Sequence, residues 1–162
     1  MENRPLRKSW REKLHEERDL PKVVEVPEHM IGKWGLKPGD TLLIPSPLDI
    51  DEVMRNVPEG KLITIDQIRE VLARKYGATI CCPVTTGIFV LMVAKAAAEA
   101  EREGENNITP YWRTLKSKGA VNEKYPGGAE LQKKLLEAEG HRLIKRGYKY
   151  VVVDYESKLV EL

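Results

Sequence analysis

The stretch Thr64-Ile-Asp-Gln-Ile-Arg-Glu-Val-Leu-Ala-Arg-Lys-Tyr-Gly77, then Cys81-Cys-Pro83, then Thr85-Thr-Gly-Ile-Phe-Val-Leu-Met-Val-Ala-Lys-Ala-Ala-Ala98, decides the fold. Thr64 followed three residues later by Gln67 is a capping box, which opens a helix by satisfying two orphan backbone donors. Ile65, Ile68, Val71 and Leu72 then fall on one helical face. Gly77 closes the helix, since glycine enters the left-handed region without steric cost. The cysteine–proline segment reads as a turn, and Thr85 or Thr86 is expected to cap a long second helix from Gly87 to Arg102, ended by Gly104. Helix, short linker, helix is the arrangement of a helix-turn-helix.

Working outward, Pro110 opens a polar, Gly-containing loop that includes Tyr125-Pro-Gly-Gly128. A helix is expected over residues 129–138, stopped by Gly140. Arg142-Leu-Ile-Lys, Arg146-Gly and Tyr148-Lys-Tyr-Val-Val-Val-Asp154 read as a β-hairpin with glycine at the turn. Towards the N-terminus, Asp49 to Arg55 reads as a short helix. Residues 23–48, rich in Pro and Gly, read as short extended segments around a turn rather than a full sheet. Residues 1–22 begin with a basic arm in which Ser9 and Glu12 form another capping box, for a helix through about Arg18. Trp10 and Leu14, at i and i+4, are placed to dock that helix on the body.

The chain has 162 residues, 41% hydrophobic, 32% charged and 6% aromatic, which fits one compact domain with an appended arm. The longest apolar run, Gly87 to Ala94, falls far short of the roughly 20 residues a bilayer requires, so no membrane helix is expected. The N-terminus lacks the apolar core of a secretory signal, and a cytoplasmic location is the expectation. Net charge is +2. Between Tyr111 and Lys134, however, Arg113, Lys116, Lys118, Lys124, Lys133 and Lys134 face only Glu123 and Glu130, a bias that suits phosphate contacts or a solvated face. The cysteines, Cys81 and Cys82, are adjacent and disfavoured as a disulfide. His15, His29 and His141 are scattered, so neither a metal nor a cofactor is expected.

Five blocks carry a family resemblance: Gly60-Lys-Leu-Ile-Thr64, Pro110-Tyr-Trp-Arg113, Lys118-Gly-Ala-Val121, Tyr125-Pro-Gly-Gly128 and Leu135-Leu-Glu-Ala-Glu-Gly-His141. In this order and spacing, the chain resembles the C-terminal DNA-binding domain of the methylated-DNA–protein-cysteine methyltransferases. The resemblance covers about residues 58–141 and leaves out an N-terminal extension, 1–57, and the closing hairpin, 142–162. It implies a mostly α fold with small β, helix-turn-helix or winged-helix-like, with the hairpin packed on the same domain.

In that family a Pro-Cys-His-Arg motif supplies a thiolate nucleophile, the histidine acting with a glutamate to form it. Here Pro110 and Arg113 match, Tyr111 stands at the cysteine position and Trp112 at the histidine position, while Glu139 matches the glutamate. A tyrosine hydroxyl has a pKa near 10 and no visible base beside it. No catalytic residue is therefore assigned. The family's flipping tyrosine matches Ile65, and the second helix has no arginine before Arg102. Ile88 or Phe89 is then either an apolar wedge for the minor groove or core.

The resemblance points to alkyltransferase-like proteins, which lack the cysteine and bind alkylated DNA without repairing it. It implies double-stranded DNA as partner, met by Thr85, Thr86, Pro110, Tyr111, Trp112, Arg113, Lys116, Lys118, Lys124 and Tyr125. Tyr111 and Trp112 either stack on a base or plug the vacated pocket. On this reading Arg113→Glu abolishes duplex binding. Two other readings stay open. One makes Cys81 or Cys82 a relocated alkyl acceptor. The other makes the chain an interaction module, dimeric or partner-bound through the Gly87–Ala98 helix or the N-terminal arm.

Overall fold

The computed structural model describes residues 7–162. The beginning of the basic arm, residues 1–6, lies outside it. Among the described residues, six α-helices and three small sheets make a mostly α architecture: α1 (Trp10–His15), β1 (Lys22–Glu25), β2 (Thr41–Ile44), α2 (Pro47–Arg55), β3 (Ile63–Thr64), α3 (Ile65–Tyr76), β4 (Ile80–Cys81), α4 (Pro83–Arg102), β5 (Thr114–Leu115), α5 (Gly128–Ala138), β6 (Leu143–Arg146), β7 (Lys149–Val152) and α6 (Tyr155–Lys158).

The local signals for α3 act as expected. Gln67 N–H donates to Thr64 Oγ1 at 3.2 Å and Thr64 N–H to Gln67 Oε1 at 3.1 Å. Gly77 terminates the helix at φ +66. α2 begins earlier than residue 49, at Pro47, because Ser46 and Asp49 form their own capping box. Asp49 also accepts the Tyr76 hydroxyl at 2.6 Å, tying the end of α3 to the start of α2. Burial and this carboxylate push the Tyr76 phenol up to about 12.

The segment around Cys81 is not simply a turn. Ile80 and Cys81 form a strand parallel to Leu42 and Leu43, and β1 pairs antiparallel with β2, so residues 22–44 and the α3–α4 connection share a three-stranded sheet in the order β1-β2-β4. The expected loose segments thus close into a sheet. α4 starts at Pro83, before the threonines, because proline is suited to the first helical position and its missing N–H is an orphan donor there anyway. Thr86 is interior to the helix and donates to the Cys82 carbonyl at 2.7 Å.

By length and hydropathy α4 would suit a bilayer span. It is instead the central core helix, with Phe89, Val90, Met92, Val93, Ala94, Ala96 and Ala97 buried under α1 and α2. Most of the Gly87–Ala98 helix, a candidate dimer seam by sequence, is thus used inside the chain, while Ile88 stays exposed. α1 is shorter than expected, ending at His15, and docks by Leu14 in the core. Glu99 of α4 accepts the backbone N–H of Trp10 and of Arg11, each at 3.1 Å, and so caps α1 from across the interface. Lys13 and Lys95 both lie over the Trp10 ring, at 4.2 and 4.4 Å.

A second apolar cluster, Leu62, Leu115, Val121, Leu136 and Val152, joins α5 and the β6–β7 hairpin to the body. β3 pairs parallel with β5, Ile63 opposite Thr114 and Thr64 opposite Leu115, which brings the Pro110–Arg113 motif beside the start of α3. The C-terminal residues run alongside Leu62, with Leu62 N–H donating to Lys158 O at 3.0 Å and Val160 N–H to Leu62 O at 2.8 Å.

Candidate nucleic-acid interface

Tyr111, Trp112 and Arg113 make one 3₁₀ turn after Pro110. Tyr111 points inwards and is only 4% exposed. Its ring meets Trp112 edge-on at 5.5 Å and Tyr125 edge-on at 5.3 Å, so the place of a nucleophile is filled by packed aromatic rings. Burial, with the charge of Glu101 as a lesser contribution, raises the Tyr111 phenol above its ordinary value. In this conformation the Tyr111 ring is packed inside the body rather than offered to a base.

Glu139, at the end of α5, is the hub of the site. It accepts the Trp112 indole N–H at 2.6 Å, Arg113 Nε–H at 2.9 and 3.0 Å, and the backbone N–H of Gly60 at 3.0 Å. Arg113 also donates to the Val57 carbonyl at 2.8 Å. The Arg113 and Glu139 side chains are 14% and 7% exposed, so this is a largely buried, charge-assisted pair. Trp112, at the position that the resemblance matches to a histidine, gives Glu139 a ring N–H partner. What tryptophan cannot do is accept a proton. The node therefore orients side chains and generates no base.

Gln132 completes the scaffold. Fully buried, it donates to the carbonyls of Trp112 at 3.0 Å and Thr114 at 3.3 Å and accepts Asn122 N–H at 2.7 Å. Tyr125 donates its hydroxyl to Thr114 O at 3.0 Å. The sequence carries no signal for Gln132, since one glutamine on an amphipathic helix is ordinary.

The sequence-predicted DNA residues divide into three groups. Thr86, Pro110, Tyr111 and Tyr125 are buried and cannot reach a duplex in this conformation. Thr85, Trp112, Arg113 and Lys116 are half-buried. Of these, Arg113 is held by Glu139 and Val57 rather than offered outwards, and Lys116 is paired with Glu123 at 3.0 Å. Lys118 and Lys124 are exposed. On α4, Phe89 is core, while Ile88 is 55% and Val84 68% exposed. One turn apart on the helix, these two form an outward apolar ridge at its N-terminal end.

The two candidate acceptor cysteines differ in setting. Cys81 is 1% exposed, 3.3 Å from Thr86 Oγ1, and burial pushes its thiol above the ordinary value. Cys82 is half-buried and accepts the Thr85 hydroxyl at 3.2 Å. Among the described residues no group of His, Cys, Asp and Glu is arranged to hold a metal ion.

No protein-family model matches the chain, and no curated protein matches it. Two solved structures from S. pombe are similar to it. One is Atl1 in complex with damaged DNA containing O6-carboxymethylguanine, at 18% identity and a TM-score of 0.47, with 72% of this chain and 94% of that one covered. The other is S. pombe ATL in complex with DNA, at 18% identity and a TM-score of 0.52, with the same coverage. At that identity the likeness is one of architecture: the body of this chain has the fold of an alkyltransferase-like protein.

Proposed function

We propose that the chain is a non-catalytic, alkyltransferase-like DNA-binding protein that recognises alkylated or otherwise damaged duplex DNA. The observation that carries this reading is the pairing of an intact scaffold with a sealed reaction centre. Tyr111 is buried among aromatic rings and Glu139 is saturated by Trp112, Arg113 and Gly60, so the centre offers neither nucleophile nor base. In this reading α3 and α4 serve as a helix-turn-helix, and the β6–β7 hairpin as a wing. The Val84–Ile88 ridge at the start of α4 is the surface that enters a groove. An apolar side chain inserted between base steps needs a few kcal/mol to unstack them, and a lesion that already weakens the stack lowers that cost. The fold shared with S. pombe ATL, whose structure is a complex with DNA, supports the choice of ligand.

The test is a fluorescence-anisotropy titration of labelled duplexes, one carrying a single O6-alkylguanine and one unmodified, across a range of NaCl concentrations. Binding that tightens on the alkylated duplex is expected, with no alkyl-group mass gain in the protein afterwards. Ile88→Glu, a surface change, is expected to weaken binding at least tenfold while the melting temperature stays put. No binding at low salt, or a protein mass increased by the alkyl group, overturns the reading.

A further inference from the structure

From His141 to Val153 the chain carries Arg142, Lys145, Arg146 and Lys149 and no aspartate or glutamate. This acid-free stretch folds into the β6–β7 hairpin. Its two-residue turn is Gly147-Tyr148, with Gly147 at φ +61 in the first central position, where such a turn demands a positive φ. Tyr148 stands fully exposed at the tip.

The register distributes the charges. Leu143 lies opposite Val152 and Lys145 opposite Tyr150, the face that packs on the body through the buried Val152. Ile144 lies opposite Val151 and Arg146 opposite Lys149, the outer face. Directly opposed residues on one face have Cβ atoms about 5 Å apart, and like charges in that position are destabilising. Arg146 and Lys149 are such a pair. Among the described residues neither they nor Arg142 and Lys145 form an ion pair, whereas Arg113, Lys116 and Lys133 are each matched with a glutamate.

The outer face does not stand alone. Val121 N–H donates to Tyr150 O at 3.0 Å and Ala120 bridges Val151, so the Lys116–Ala120 turn is stitched to β7. Gly119, at φ +82, sits so close under the Tyr155 ring that a Cβ there would lie 2.4 Å from it. Next to it, Lys118 lines with Arg146 a groove of about 340 Å³. Asp154 and Glu156 line the same groove, Asp154 accepting the Ser157 hydroxyl at 2.7 Å. Glu123, an acid close enough to feel the charge of Lys149, is already held by Lys116.

We propose that this face, Arg146 and Lys149 with Lys118 in the groove beside Arg146, is a phosphate-binding surface that takes the backbone of the duplex engaged by α4. The inference rests on the DNA-binding reading above and adds a binding surface outside the reaction centre and, in Arg146 and Lys149, outside the five blocks of resemblance. The opposed cations form no ion pair among the described residues, and a phosphate between the two side chains supplies one. Each lysine or arginine that neutralises a phosphate releases condensed counterions, which makes the interaction readable as a salt dependence.

The experiment compares the full-length wild type with R146Q/K149Q, R146K/K149R and I88E on a labelled, unmodified duplex over a NaCl series. For R146Q/K149Q the slope of log K against log[salt] is expected to become shallower by roughly 1.8, close to 0.9 for each phosphate that is no longer neutralised. Its unfolding midpoint should be unchanged or raised, and R146K/K149R should restore the wild-type slope. A wild type that binds, is weakened by I88E and shows the same slope as R146Q/K149Q overturns the hairpin inference alone. A wild type that ignores duplex at low salt overturns the DNA-binding reading and this one together. Binding to anionic phosphatidylserine vesicles without binding to DNA would assign the face to a membrane and overturn it as well.

Discussion

The indole N–H of Trp112 ends 2.6 Å from Glu139, on the carboxylate that also holds Arg113. Trp112, at the position that the sequence resemblance matches to a histidine, supplies a ring N–H to this carboxylate. Removing one partner of a largely buried pair leaves the other charge uncompensated, at a cost of about 3–5 kcal/mol. Glu139→Ala should therefore lower the urea midpoint by that equivalent. Arg113→Glu should unfold the domain by placing two carboxylates together, so circular dichroism must accompany any loss of DNA binding seen in that variant. A fully folded Arg113→Glu protein contradicts a node held together by this pair.

Tyr111 acts through its ring. Tyr111→Phe should change stability by less than about 1 kcal/mol, since the hydroxyl has no hydrogen-bond partner among the described residues. It should bind duplex like the wild type. Tyr111→Ala removes an aromatic from the cluster shared with Trp112 and Tyr125, and core truncations of that size cost about 3–5 kcal/mol. Equal destabilisation by the two changes would show that the hydroxyl, not the packing, matters.

Thiol accessibility separates the cysteines. In the native protein a disulfide reagent such as DTNB should modify Cys82 slowly and leave Cys81 untouched until urea is added. Rapid native labelling of Cys81, located by peptide mass mapping, would revive the alkyl-acceptor reading.

His141 sets a pH response. It is buried, its Nε2 has no hydrogen-bond partner among the described residues, and burial, more than the charges nearby, lowers its pKa below the ordinary 6.5. The unfolded chain then binds the proton more readily than the folded one. Its contribution to stability is complete above about 6.5 and is lost as pH falls from there through the folded pKa. Chemical denaturation at pH values of about 7.5 and 5.5 should show a smaller loss for His141→Leu than for wild type. Identical losses would exclude His141 as the source.

Much of the scaffold is legible in the sequence because its causes are local. The Thr64–Gln67 box, the Gly77 terminator and the Gly147 turn each act within a few residues, and each sits where the pattern puts it. The start of α4 is not legible in that way. What precedes it is a strand, and the strand exists only through pairing with Leu42 and Leu43, almost forty residues away. The site is half legible for the same reason. Tyr111 and Glu139 are recognisable by motif, but Arg113 looks like a phosphate ligand until Glu139 and Val57 fold onto it. The opposed Arg146 and Lys149 become visible only once the register of the hairpin is fixed.

The parallel pairing of β2 with β4 has a mechanical consequence. Here Thr79 and Cys82 donate their N–H groups to the carbonyls of Thr41 and Leu43, at 3.1 and 2.8 Å, and Arg69 donates to Cys81 O at 3.0 Å. The N-terminal quarter of the chain is thus a splint across the joint, and the angle at which α4 is presented is set by residues 41–43. A protease cut or a binding partner that loosens those three residues would change the angle of a helix it never touches.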